Sequence, residues 1–122
     1  MWLTGCYPKA FLAKNLQESF VWRENYITTF LERDIPQLGI NILAQTLRRF
    51  LLMLGHYHGQ IMNYSEFARS FGVSDMTVRK YIDVLEGTFI LRIIQPWHNN
   101  TKKRIVKQPK IYLRDSGIFH FL

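Results

Sequence analysis

Residues 63–91 read NYSEFARSFGVSDMTVRKYIDVLEGTFIL, and this stretch decides the fold. The side-chain oxygen of Asn63 is placed to accept from free amides at a helix start, and Glu66 three positions on gives a capping-box-like pair. Phe67, Ala68 and Phe71 share one face of a short helix. Gly72 supplies the left-handed residue that ends it, Val73 plugs the core beneath the turn, and Ser74 is the predicted N-cap of a second helix running to about Gly87. Two helices joined by a turn of three to four residues form a helix-turn-helix.

In the second helix Val78, Ile82, Leu85 and Phe89 recur at helical spacing and form the expected buried stripe. That phase points Met76, Arg79, Lys80 and Asp83 outward as the candidate reading surface. Asp75 and Asp83 offset Arg79 and Lys80, so the helix itself is nearly neutral, and a simply solvated face is the plainer alternative.

Upstream, Phe20, Ile27, Phe30, Leu31 and Ile35 mark an amphipathic helix over 19–35, thickened by Trp22 and Tyr26, which Pro36 ends or kinks. Leu43, Leu47, Phe50, Leu51, Leu54 and His58 form a second stripe, with Arg48 and Arg49 turned away, as the first helix of the winged-helix core. Gln60–Met62 is a candidate edge strand. Thr88–Gln95 and Pro109–Leu113 are strand-like on either side of a turn-like stretch from Pro96 to Thr101, giving strand, wing, strand. The expected class is therefore mainly α with a small β-hairpin: a winged helix-turn-helix preceded by a helical segment. The expected division is 1–40 as an N-terminal helical linker from an absent module, 41–115 as the winged helix, and 116–122 as the start of a following module.

The chain has 122 residues, enough for one domain, and a net charge of +7. The charge is segregated. Residues 1–91 hold nine Lys and Arg against eight acids, whereas 92–114 hold seven cations and no acid. A basic run of this density favours polyanions through counterion release, nucleic acid foremost, without specifying a sequence. Lys102, Lys103, Arg104, Lys107 and Lys110 are the candidate phosphate contacts, with Met76, Thr77, Arg79 and Lys80 docked in a major groove of duplex DNA. Lysines that only keep a hairpin edge soluble are the alternative.

The lone Cys6 cannot pair within the chain, which fits a reducing, cytoplasmic compartment, and no apolar run suits a membrane. A glycine-rich loop ending in Gly-Lys-Ser or Gly-Lys-Thr is missing, so the chain is not expected to hydrolyse ATP alone. His56 and His58 stand two apart, and His98 and His120 lack near ligand partners, so no metal site is expected. Glu32, Arg33 and Asp34 suit a salt-bridged helix end better than an acid-base pair, because adjacent helical positions diverge by about 100°. Trp97 is expected to anchor the hairpin or to stack on a base.

Taken in order, several landmarks resemble those of the bacterial and archaeal AAA-type ATPases that carry a C-terminal domain of unknown function. They are Gly5, Tyr7 and Pro8, with Cys6 where a glycine is more usual; Tyr26 with Leu31 to Ile35; Asn63 to Glu86; Lys103 and Arg104; and Pro109 to Tyr112 followed by Asp115 and Gly117. The resemblance implies a middle piece of a larger protein whose ATPase module binds ATP and magnesium elsewhere. It implies the adjacent ATPase and C-terminal modules as partners, and no cofactor in this piece. A second expectation for the winged helix is a protein-interaction or lid role, coupling such an ATPase to its neighbour or forming a dimer, with the aromatic-rich first third as contact surface.

Overall fold

The computed structural model describes residues 1–97 and 108–122. Among these, the elements are α1 (Pro8–Phe11), α2 (Leu16–Thr29), a π turn (Phe30–Asp34), α3 (Ile35–Gln37), α4 (Ala44–His56), α5 (Tyr64–Phe71), α6 (Asp75–Gly87), β1 (Leu91–Ile94), β2 (Lys110–Leu113) and α7 (Ser116–Phe121). The chain is mainly helical with a two-stranded antiparallel hairpin, in the order expected of a winged helix. It divides into two compact units, Met1–Gly55 with Asp115–Leu122, and His56–Arg114. Residues 116–122, set apart in the sequence-based division, group with the first unit, and so do Asp115 and nearly all of α4.

In the first unit the helix begins earlier than the apolar spacing suggests, because Asn15 caps it: its side-chain oxygen accepts from the Glu18 amide at 2.8 Å. The helical path continues to Gln37 through the π turn, where the Ile35 amide donates to Phe30 O. Pro36 has no amide to give and its ring crowds the preceding turn, so the wider turn accommodates it without breaking the helix. Ile27, Phe30, Leu31 and Ile35 are buried as expected. Phe20 is not. It is 42 % exposed, although its ring lies 5.2 Å from that of Phe121. On α4, Leu47, Phe50, Leu51 and Leu54 are buried, whereas Leu43 precedes the helix and is exposed.

The two ends of this unit are tied by polar groups. Asp115 Oδ1 accepts from the Ile118 amide and so caps α7, while its Oδ2 accepts from the Cys6 amide at 2.7 Å. Gly5 sits at φ +75°, and a Cβ there would collide with the Asp115 carboxylate; a Cβ on Gly117 would collide with Thr4 O. Arg23, only 5 % exposed, donates from Nη1 to Leu3 O (2.9 Å) and Gly117 O (2.8 Å), and from Nε to Ser19 O. Burial lowers the pKa of this guanidinium and the nearby Asp115 opposes the shift, so it stays a cation.

In the second unit the helix-turn-helix forms as its sequence dictates. Asn63 accepts from the Glu66 amide, Gly72 takes φ +84° and ends α5, and Ser74 accepts from the Thr77 amide to start α6. Phe67, Ala68, Phe71, Val78, Ile82 and Leu85 are buried with Met62, Leu91, Ile111 and Leu113. The hairpin pairs Leu91 with Leu113, Arg92 with Tyr112, Ile93 with Ile111 and Ile94 with Lys110. The expected edge strand is reduced to single bridges: Ile61 faces Lys110, His58 faces Ile111, and the Met62 amide donates to Pro109 O.

One buried position is corrected. Phe89 does not continue the α6 stripe; it is 68 % exposed, at φ +64°. The Ile90 amide bonds Leu85 O and the Phe89 amide bonds Glu86 O, a Schellman closure that puts Phe89 where glycine is usual. The left-handed residue breaks the helical phase, and Ile90 takes the buried place instead.

Replacing Arg23 by methionine keeps much of its volume but leaves the carbonyls of Leu3 and Gly117 without their donor. We expect a loss of roughly 1–3 kcal/mol in urea unfolding. A variant as stable as the wild type would show that the clamp does not hold this unit.

Candidate nucleic-acid interface

The candidate groups on α6 stand together at its N-terminal half. Met76 is 81 % exposed, and Arg79 and Lys80 are exposed beside it. Thr77 is half-buried, its hydroxyl 2.9 Å from Ser74 Oγ, so it serves the helix cap. The Arg79 guanidinium lies 4.1 Å from the centre of the Tyr64 ring, a cation–π contact that orients it across α5 and α6. Burial raises the Tyr64 pKa, opposed by Arg79 and supported by Asp83 and Glu86, so the ring stays a neutral phenol.

The acids that make this helix nearly neutral are partly engaged elsewhere. Asp75 accepts from the Ser65 hydroxyl, and Glu86 Oε1 accepts from the Ile93 amide at 3.2 Å, joining α6 to β1. Lys110 is exposed on β2. Lys102, Lys103, Arg104 and Lys107 lie outside the described residues, as do His98 and most of the expected wing. Trp97 is 78 % exposed rather than seated in the core.

The remaining candidates resolve into structural roles. Arg33 Nε pairs with Asp34 Oδ1 at 2.9 Å on the surface, the expected salt-bridged helix end. Glu32 lines a cleft of about 270 Å³ with Thr28, Leu31, Ala44, Gln45 and Arg48, where Arg48 Nη2 donates to Thr28 Oγ1. Among the described residues no three His, Cys, Asp or Glu side chains gather to hold a metal ion. No helix among them is long and apolar enough to cross a membrane.

Two features escaped the sequence reading. The sequence does not mark Arg23 as a clamp, since two of its three carbonyl partners lie 20 and 94 residues away. Arg114 belongs to the basic run in the sequence, yet its guanidinium stands 5.2 Å from the Phe89 ring centre and its Nε donates to Leu91 O. Tyr7 and Tyr26, noted as landmarks, meet at their hydroxyls (3.0 Å), with Trp22 stacked on Tyr26. Burial, then the bond to Tyr26, raises the Tyr7 pKa.

A fold and surface of this kind define a helix-turn-helix module with a hairpin. The chain belongs to the family described as Domain of unknown function (DUF8612), whose model matches residues 1–122. It is 48 % identical, over all 122 residues, to the uncharacterized protein Rv2008c of Mycobacterium tuberculosis (strain ATCC 25618 / H37Rv). The same identity holds for the uncharacterized protein Mb2031c of Mycobacterium bovis (strain ATCC BAA-935 / AF2122/97). The chain spans 28 % of the length of each. No solved structure matches it.

His58 gives this unit a pH dependence. Its Nδ1 accepts from the Leu113 amide at 3.0 Å, which requires the unprotonated nitrogen, and burial lowers its pKa below the ordinary value of 6.5. Between the folded and unfolded values the unfolded chain binds more protons. The contribution is therefore complete above about 6.5 and is lost as pH falls through the depressed value. Urea midpoints should fall from pH 7 to pH 5 in the wild type and fall less in His58→Asn; equal slopes would remove His58 as the cause.

Proposed function

We propose that the His56–Arg114 unit is a winged-helix module that binds nucleic acid, mainly through backbone phosphates. The observation that carries this reading is a helix-turn-helix whose exposed α6 face, Met76, Arg79 and Lys80, is followed by a segment of seven cations and no acid. A nearly neutral α6 supports contact to phosphates over reading of base edges. Within a longer protein, the module belongs with an AAA-type ATPase, cytoplasmic, with ATP and magnesium bound outside this chain. The support is the order of the landmarks and the greater length of both mycobacterial relatives. The chain itself is read as non-enzymatic.

A second reading has its own observation. Trp2, Leu3, Phe11, Leu12, Leu16, Phe20 and Val21 are all exposed in the first unit, more apolar surface than a short segment ordinarily leaves in water. This favours a protein-interaction role there, coupling to a neighbouring module or a second copy, and it is compatible with nucleic-acid binding by the other unit.

Duplex affinity should fall with salt at a log–log slope of about −3 to −5, for roughly three to five neutralised phosphates. The double variant Arg79→Ala, Lys80→Ala should flatten it by about 2 if both contact phosphate. Absence of duplex binding below about 1 mM at low salt, a weaker limit than ordinary nonspecific binding, would end the first reading.

A further inference from the structure

The outer face of the hairpin presents a surface separate from α6. Leu91, Ile111 and Leu113 are buried, so in the β1–β2 register Arg92 and Ile94 share the opposite face with their partners Tyr112 and Lys110. Arg114 continues the same alternation, its amide donating to Ile90 O at 3.0 Å and its guanidinium standing over Phe89. Cations and rings therefore interleave along this face: Arg114 with Phe89, Arg92 opposite Tyr112, then Lys110. Along β2 the residues Lys110, Tyr112 and Arg114 repeat at about 6.7 Å. Among the described residues no acid pairs with Arg92, Lys110 or Arg114.

Phe89 is the informative member. A bulky residue at positive φ is strained, and this one does not repay the strain by burial, since most of its ring is exposed. The helix end it occupies would be satisfied by glycine. What the phenylalanine adds is an accessible aromatic face, held in place by Arg114 on one side.

We propose that this face binds single-stranded nucleic acid, with Phe89 and Tyr112 stacking on unpaired bases and Arg92, Lys110 and Arg114 neutralising the adjoining phosphates. The proposal rests on the reading of this unit as a nucleic-acid binder and adds a surface that does not use α6. A duplex keeps its base faces stacked internally and offers nothing to the rings, whereas an unpaired strand offers both base faces and phosphates. An acidic peptide would engage the cations alone and leave the exposed Phe89 ring unexplained.

The test is a fluorescence-anisotropy titration of the full chain with a short labelled oligothymidylate and, separately, a labelled duplex. The oligothymidylate should bind. Phe89→Gly should weaken that binding about tenfold, in line with the loss of one stacked base, while Phe89→Trp retains it. Phe89→Gly should also raise the urea midpoint, because glycine relieves the strain, so lost affinity would not reflect lost folding. Duplex affinity should be unchanged in both variants. Equal oligothymidylate affinity for Phe89→Gly and the wild type would overturn the proposal, as would displacement of the oligothymidylate by polyglutamate of matched charge. Duplex binding without oligothymidylate binding sinks this inference alone; binding of neither sinks the proposed function with it.

Discussion

The carboxylate of Asp115 accepts the Cys6 amide across 109 residues of chain, and the first unit depends on that closure. Bringing such distant segments together costs loop-closure entropy, which must be recovered from contacts made only at the junction. Asp115 recovers part of it by capping α7 and the turn after Gly5 with the two oxygens of one carboxylate. Arg23 contributes from α2, donating to carbonyls on both sides of the junction. Gly5 and Gly117 admit this approach because neither has a Cβ. The first unit is thus discontinuous in sequence, and His56–Arg114 is the segment carried between its parts.

This arrangement gives the family-like landmarks a physical meaning. Gly5, Tyr7, Asp115 and Gly117 are landmarks of that resemblance when met in order along the sequence. In the structure they meet in space: Gly5, Asp115 and Gly117 form the junction, and Tyr7 bonds Tyr26 within an aromatic group that includes Trp22. Their chemistry is that of closure and packing. The Asp115 oxygens already accept backbone amides.

The second unit divides its residues differently. Its core and caps follow ordinary rules, with Asn63, Gly72 and Ser74 each in the role its side chain favours. Departures from those rules gather at the end of α6 and on the hairpin, where Phe89 replaces the usual glycine and an arginine stacks on it. Local rules broken without compensating burial mark surfaces shaped for something other than stability. The nearly neutral α6 face and the cation-rich hairpin face are accordingly different kinds of surface.

The amino-acid sequence by itself determined the helix-turn-helix, its caps, the two strands and most of the buried stripes, because those depend on side-chain period and on residues within four positions of one another. It also determined the segregation of charge. The wrong assignments have the same origin: Phe89 and Phe20 fit a helical period, but a left-handed turn removes one from the phase, and the packing of α2 leaves the other partly in water. Only the tertiary structure decided that Asp115 and Arg23 join the chain's distant segments. It alone aligned Arg92, Tyr112, Lys110 and Arg114 on one face of a hairpin. Each of those facts depends on partners many residues away, and no local pattern encodes which partner a buried arginine or an outward strand residue will meet.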